Sequence, residues 1–319
     1  MKKVLITSPV HKDGINMLEE KFEVIISPNE DKETLINLCR DVDAIIVRLA
    51  NIDKDIIDAA KNLKIIAKHG AGVDNVDVKY ATEKGIYVVN TGNANSLSVA
   101  EHTIAAILAV FKRVTIIDNA VRNDNWYVKN DNRSLNYTGK TLGLIGVGSI
   151  GSEVARMARN GFLMKVIAFD PYANKEKAGE SGIEIIDNLE EIFKTADIIS
   201  IHTPLTKETR GFINKELLQL LKPTAVFANF ARGEIVDEEY LAEMLKEKRI
   251  FGAALDAFSQ EPLPKDSPFY SLENVILSPH AGTFTDDCRS KMAQYLAEDI
   301  IGFFKGQQPI RLVNRELKK

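Results

Sequence analysis

The chain has 319 residues, 45% hydrophobic and 27% charged, with 41 basic against 45 acidic side chains. That composition describes a water-soluble globular protein of about two domains, and its slightly negative balance gives no electrostatic reason to expect a nucleic-acid partner. No apolar run approaches the roughly 18 residues of a membrane span, and the apolar start of MKKVLITSPV stops at Pro9 and His11, too short for a signal-peptide core. Cys39 and Cys288 lie far apart with no disulfide or zinc-type spacing, so the expectation is a cytoplasmic protein with no metal site.

From the N-terminus, short β-type runs alternate with helical segments. KKVLIT, FEVIIS, DAIIVR, LKIIAK and GIYVVN are apolar and β-branched, each bounded by polar or turn residues. Between them, GINMLEEK, DKETLINLCRD and DKDIIDAAK read as helices. From about Ser98 to Asp118 the stretch SVAEHTIAAILAVFKRVTIID has no Gly or Pro and repeats its apolar residues at helical spacing, which predicts one long helix. A second strand series follows: KTLGLIG, MKVIAFD, ADIISIH, TAVFANF, FGAALD and NVILSPH. Its near-continuous apolar character suits strands buried on both faces. A final helix is predicted over about 285–305. The βαβα rhythm predicts an α/β protein whose parallel strands are covered by helices on both faces.

Gly146-Val147-Gly148-Ser149-Ile150-Gly151 is a GxGxxG placed between the strand LGLI and the helix IGSEVARMAR, the context a dinucleotide fingerprint requires. Gly146 allows the tight turn, Gly148 lets backbone approach a pyrophosphate, and Gly151 lets helix and strand pack closely. The helix N-terminus offers N–H groups and a positive dipole end to phosphates. Asp170 ends the next strand, nineteen residues past Gly151, where a carboxylate accepts from ribose hydroxyls and repels a 2′-phosphate. No arginine follows it in Pro171-Tyr172-Ala173, so the predicted cofactor is NAD.

Five histidines are available for proton transfer. His11 reads as a surface residue, His102 as a packed or capping residue in the long helix, and His69 as part of the loop KHGAGVDN. His202 and His280 each close a strand at its carboxyl end, the edge that faces ligands in open parallel sheets. His280 is the candidate proton shuttle. Glu261, in the loop SQEPLP, leaves the same sheet edge and can pair with it, favouring the imidazolium and fixing its tautomer. Arg232, in NFARGEIVDE, offers a fork suited to a carboxylate.

KHGAGVDNVD (68–77), NSLSVAEHT (95–103), GKTLGLIGVGSIG (139–151), FDPY (169–172), HTPLTKETRGFI (202–213), ARGEIVDEEYL (231–241), GAALDAFSQEPL (252–263) and SPHAG (278–282) together resemble the D-isomer-specific 2-hydroxyacid dehydrogenases over essentially the whole chain. Within that family the chain is most similar to the short-form phosphoglycerate dehydrogenases. The resemblance implies two doubly wound parallel-sheet domains, a Rossmann cofactor domain over about 98–283 inserted into a flavodoxin-like substrate domain of about 1–97 and 284–319. It implies that Arg232, Glu261 and His280 are catalytic and that Asp256 contacts the nicotinamide amide. It extends the cofactor set to Ser149, Ile150, Pro171, His202, Thr203, Pro204, Ala231 and Gly282, and the substrate set to Arg48, Ala71, Gly72, Val73 and Asn75 beside Arg232. A homodimer through the long helix and a D-2-hydroxy acid or 2-keto acid substrate are further implications.

Arg48, in IIVRLAN, matches an arginine of the phosphoglycerate enzymes and suits a phosphate, or else is a strand-end surface charge. Leu49 and Asn51 replace hydroxyl-bearing residues of that stretch, and Lys68-His69 stands where Arg-Ala is frequent. A role in serine biosynthesis on 3-phosphoglycerate and 3-phosphohydroxypyruvate therefore stands beside hydroxypyruvate, glyoxylate and other 2-keto acids. A rival of another class is an NAD(H)-sensing binding protein like the C-terminal-binding corepressors, which keep the same trio.

Overall fold

The computed structural model describes residues 1–318 and divides into two compact units, one from residues 1–95 and 283 onward, the other from residues 96–282. The sequence placed these boundaries one or two residues later.

The first unit carries the parallel strands β1 (Lys3–Ile6), β2 (Glu23–Ile26), β3 (Ala44–Val47), β4 (Ile65–Lys68) and β5 (Tyr87–Val89) in the order β2-β1-β3-β4-β5. Alternate residues serve opposite faces. Leu5, Ile45, Val47, Ile66 and Val88 enter one buried cluster; Val4, Ile6, Ala44, Ile46, Ile65, Ala67 and Val89 enter the other. Helices α1 (Lys12–Glu19), α2 (Lys32–Leu38), α3 (Lys54–Ala59) and α4 (Val78–Glu83) connect the strands, and the C-terminal helix Asp286–Phe304 packs beside α1. The sequence reading passed over α4, although Asp77 caps it by accepting from Tyr80 N–H. Such a cap contributes about 1 kcal/mol.

The second unit opens with α5 (Ser96–Phe111) and α6 (Val114–Arg122). The single long helix expected over 98–118 is therefore corrected to two. Arg113 adopts φ +52°, and its N–H turns back to the Val110 carbonyl at 3.0 Å. Its guanidinium lies over the Phe251 ring, 4.5 Å from the centroid, and donates to the Arg133 carbonyl. A tertiary site for this side chain thus overrides local helical propensity.

Then follow β6 (Thr141–Ile145), α7 (Ser149–Phe162), β7 (Lys165–Phe169), α8 (Lys175–Glu180), β8 (Ile183–Ile185), α9 (Leu189–Thr195), β9 (Ile198–Ile201), α10 (Lys215–Leu218), β10 (Val226–Asn229), α11 (Glu238–Lys246), β11 (Gly252–Leu255) and β12 (Val275–Leu277). The parallel sheet runs β12-β11-β10-β9-β6-β7-β8, a doubly wound order that reverses between β6 and β9. Ligands bind such sheets outside the carboxyl ends of the strands at that reversal. β9, β10 and β11 are wholly buried, as their apolar sequences require. β8 was missed because its three residues are interrupted by Glu184. Among the described residues no helix is long and apolar enough to cross a membrane.

Candidate active site

The glycine turn joins β6 to α7. Gly146 has φ +96°, and a Cβ there would stand 2.9 Å from the His202 carbonyl carbon. At Gly151 a Cβ would stand 2.3 Å from Gly146 O, so only glycine lets α7 seat against the turn. Gly148 caps α7 and has nothing within 4 Å of its missing Cβ, which leaves its surroundings open to a pyrophosphate. Ser149 and Ile150 begin the helix. Asp170, past the end of β7, accepts Val147 N–H on Oδ2 and Tyr172 N–H on Oδ1, both at 2.9 Å. Those bonds fix the carboxylate and leave lone pairs for ribose hydroxyls. These features fit NAD: open amides for the pyrophosphate and a fixed anion for the ribose.

His202, Thr203 and Pro204 leave β9 beside the turn. The Nε2 of His202 lies 2.8 Å from Ser200 Oγ, while its Nδ1 is buried with no partner. Burial pushes this histidine down to about 3, so it stays neutral at physiological pH.

The predicted trio lies at the carboxyl edge of the same sheet. Asn229 organises the turn after β10, accepting Ala231 N–H at 3.1 Å and donating to the Arg232 carbonyl at 2.9 Å. Arg232 Nη1 reaches the Ala231 carbonyl at 2.8 Å. A Cβ on Gly233 would stand 2.0 Å from the Phe258 carbonyl carbon, so the arginine turn lies directly against the loop that carries Glu261. Glu238 braces that loop by accepting Ser259 N–H at 3.0 Å and the Ser259 hydroxyl. His280 Nδ1 stands 2.9 and 3.1 Å from the two Glu261 oxygens, and Phe258 N–H donates to Glu261 Oε1 at 3.0 Å. Burial alone would raise the Glu261 carboxyl. The bonds from His280 and Phe258, with the charges of His280 and Arg232, outweigh that and hold it below the usual range. With Nδ1 committed to the carboxylate, Nε2 remains for proton exchange.

Asp256 and Gly282 meet in this region. Asp256 is 3% exposed and accepts from Ser278 Oγ, Ala281 N–H and Gly282 N–H. Ser278 is absent from the residues singled out in the sequence, and His102 reads there as a packed or capping residue; the signal lay in SPH, which sets a hydroxyl two residues before the histidine at a strand end.

In the first unit, Arg48 follows β3 and Lys68 ends β4. The Lys68 ammonium and Asn75 Nδ2 both reach the Arg48 carbonyl, and Asn75 also donates to Ala50 O at 2.6 Å. Asn75 thus shapes the 48–50 loop. Glu30 Oε1 fixes the same loop by accepting Leu49 and Ala50 N–H at 3.3 and 3.2 Å. Ala71, Gly72 and Val73 form the loop after β4, with the Ala71 carbonyl held by Asn90. His69 is buried, and its Nε2 has no partner. Burial first, then the charges of Arg48, Lys68 and Arg289, push it down to about 4. His11 is mostly buried and caps α1 rather than lying free on the surface. Cys39 and Cys288 are both buried thiols. Among the described residues no cluster of three or more His, Cys, Asp or Glu is placed to hold a metal.

The family described as D-isomer specific 2-hydroxyacid dehydrogenase, NAD binding domain, matches residues 104–282. The chain is 41% identical over 315 residues to the D-3-phosphoglycerate dehydrogenase of Methanocaldococcus jannaschii, covering 98% of this chain but 60% of that protein. It is 39% identical over 324 residues to the glyoxylate reductase of Korarchaeum cryptofilum, covering 99% of this chain and 97% of the relative. The crystal structure of D-lactate dehydrogenase from Aquifex aeolicus, complexed with NAD and lactic acid, superposes with a TM-score of 0.87 at 30% identity, over 97% of this chain and 98% of that one.

Proposed function

Since the chain belongs to the D-isomer-specific 2-hydroxyacid dehydrogenase family of NAD-dependent oxidoreductases, we propose that Arg232, Glu261 and His280 carry its reaction at C2 of a D-2-hydroxy acid or 2-keto acid. The observation that carries this reading is the His280–Glu261 pair, with the Arg232 charge acting on the same carboxylate. NAD would be held by the Gly146–Gly151 turn and Asp170, and would supply or accept the hydride at C2. Arg232 polarises the C2 oxygen and holds the carboxylate. His280 Nε2 gives a proton to that oxygen in reduction and takes it back in oxidation, while Glu261 stabilises the imidazolium. Asp170 selects NADH over NADPH.

For the substrate we propose an acid with a second anionic group, 3-phosphohydroxypyruvate in the reducing direction. The support is the set of cations in the first unit, Arg48, Lys68 and Arg289, whose fields converge on His69. Glyoxylate or hydroxypyruvate is the second reading, favoured by the relative of near-equal length named for glyoxylate. A homodimer is proposed from Val114 and Val121 on α6, with Trp126 and Tyr127 just beyond it, all exposed apolar side chains.

The test is NADH consumption with a panel of 3-phosphohydroxypyruvate, hydroxypyruvate, glyoxylate, pyruvate and branched 2-keto acids. Preference for the phosphorylated acid is expected. Arg48→Ala should then raise its KM at least tenfold, since a charged hydrogen bond contributes about 1.5–3 kcal/mol. An unphosphorylated favourite, unaffected by Arg48→Ala, removes the phosphate reading and leaves the reaction class standing. NADH binding without turnover of any acid would instead support the binding-protein rival.

A further inference from the structure

We propose that His102 is a positioning residue for the reaction, acting from α5 through Ser278 and Asp256 on the turn that carries His280. The proposal rests on the reading of His280 as the proton-exchanging residue.

His280 stands at φ +52°, a left-handed conformation uncommon for a residue with a side chain. Asp256 holds the turn. Its carbonyl accepts His280 N–H at 2.9 Å. Its Oδ1 accepts Ser278 Oγ–H at 2.5 Å and Ala281 N–H at 2.7 Å, and its Oδ2 accepts Gly282 N–H at 3.0 Å. One aspartate therefore grips three consecutive backbone amides, those of residues 280, 281 and 282.

The Ser278 hydroxyl has a single proton. Given to Asp256, it leaves lone pairs facing His102, whose Nε2 lies 3.1 Å from Ser278 Oγ and 3.7 Å from Asp256 Oδ1. His102 must then carry a proton on Nε2 and donate it to Ser278. The ring is set edge-on against Phe230, with centroids 5.5 Å apart. Four residues earlier on α5, Ser98 Oγ donates to the Gly282 carbonyl at 2.8 Å. Residues four apart share one helical face. The face bearing Ser98 and His102 thus bolts both ends of the His280 turn to a helix of the same unit, the kind of rigid support a proton-transferring group needs.

The experiment compares His102→Leu, which has no donor, with His102→Gln, which keeps an N–H at similar reach, alongside Ser278→Ala, the His102→Leu/Ser278→Ala double variant and His280→Ala. His102→Leu is expected to lower kcat about tenfold to a hundredfold, as a displaced catalytic group does, with NADH affinity by calorimetry little changed. Gln should restore most of the loss. Ser278→Ala should match the Leu variant, and the double variant should fall no further than either single one. Wild-type kcat in His102→Leu, equal damage from Leu and Gln, or losses that multiply in the double variant each overturn the proposal. If His102→Leu does not fold, Ser278→Ala decides: wild-type kcat there sinks the network. An active His280→Ala removes the underlying reading itself, whereas an inactive one beside a normal His102→Leu removes only the role of His102.

Discussion

The two units end their parallel strands in opposite ways. At the carboxyl edge of the 96–282 sheet the polar side chains are engaged: Asn229 ties its turn, Glu238 takes Ser259, Glu261 takes His280 and Phe258, and Asp256 takes three donors. Among the described residues of this unit, His202 Nδ1, beside the glycine turn, and Ser96 Oγ, at the start of α5, are buried with no partner. In the other unit, His69 Nε2, Thr91 Oγ1 and Asn95 Oδ1 are buried with no partner, at or just beyond the ends of β4 and β5, and Arg48, Lys68 and Arg289 direct positive charge at His69. A buried polar atom left unmatched costs about 1–3 kcal/mol. Such an arrangement suits a surface whose partner is a ligand, whereas a saturated edge suits chemistry, because dipoles already in place need no reorganisation during reaction. On the proposed function, recognition falls to one unit and catalysis to the other.

The largest expected effect follows from the saturated edge. His280→Ala should lower kcat by about 10² to 10⁴, the usual contribution of a general acid–base group, while NADH affinity measured by titration stays near the wild-type value. Arg48→Ala, at the unsaturated edge, should act on KM instead. If the histidine variant turned over normally, or the arginine variant lost kcat and not KM, the division of labour would fail.

How much of this was legible in the sequence differs between the edges for a physical reason. Strands buried on both faces announce themselves as apolar runs, so eleven of the twelve strands among the described residues are legible from KVLI to VIL; β8 is not, because Glu184 breaks a three-residue run. Glycines that permit a turn or a close approach are equally visible, as at Gly146 and Gly151. Hydrogen-bond networks are not, because they join residues far apart in the chain: Ser278 with Asp256, His102 with Ser278, Glu30 with Ala50. Arg113 hid in the same way, since the Phe251 ring that draws it out of the helix lies more than 130 residues away. Asn75, in the loop expected to offer backbone N–H groups to a substrate carboxylate, also braces the backbone of 48–50 with its side chain, a bond of the same hidden kind.

His69 offers a test of the unsaturated edge through stability. Burial and three neighbouring cations lower its pKa from 6.5 to about 4. Between those values the unfolded chain binds the proton and the folded chain does not, so stability rises with pH across the window. The contribution is complete above pH 6.5 and declines as the pH falls toward 4; over the whole window it amounts to about 3 kcal/mol. His202, pushed by burial to about 3, adds a slope of the same sign in the other unit. His69→Gln should therefore remove roughly half of the acid-side loss attributable to these two histidines, read from urea midpoints taken at intervals down to about pH 4. A variant with the full wild-type slope would show that the edge does not hold His69 neutral.

The smallest expected effect belongs to Glu261. Its carboxyl is held below the ordinary 4.5 because the bonds from His280 and Phe258, with the charges of His280 and Arg232, outweigh burial. A lowered folded value means that stability is present above the unfolded pKa and is lost as the pH falls through the folded one. The side chain is 38% exposed, so solvent screens the pair and the contribution stays below about 1 kcal/mol. Glu261→Gln should unfold slightly more easily than wild type near neutral pH, and the gap should close once the pH drops below the range in which the carboxylate ionises. A gap that persists unchanged into acid would mean that the amide disturbs packing, and that the ion pair with His280 contributes nothing to the fold. Turnover separates the two cases, because an imidazolium deprived of its carboxylate loses rate even where the stability gap is small.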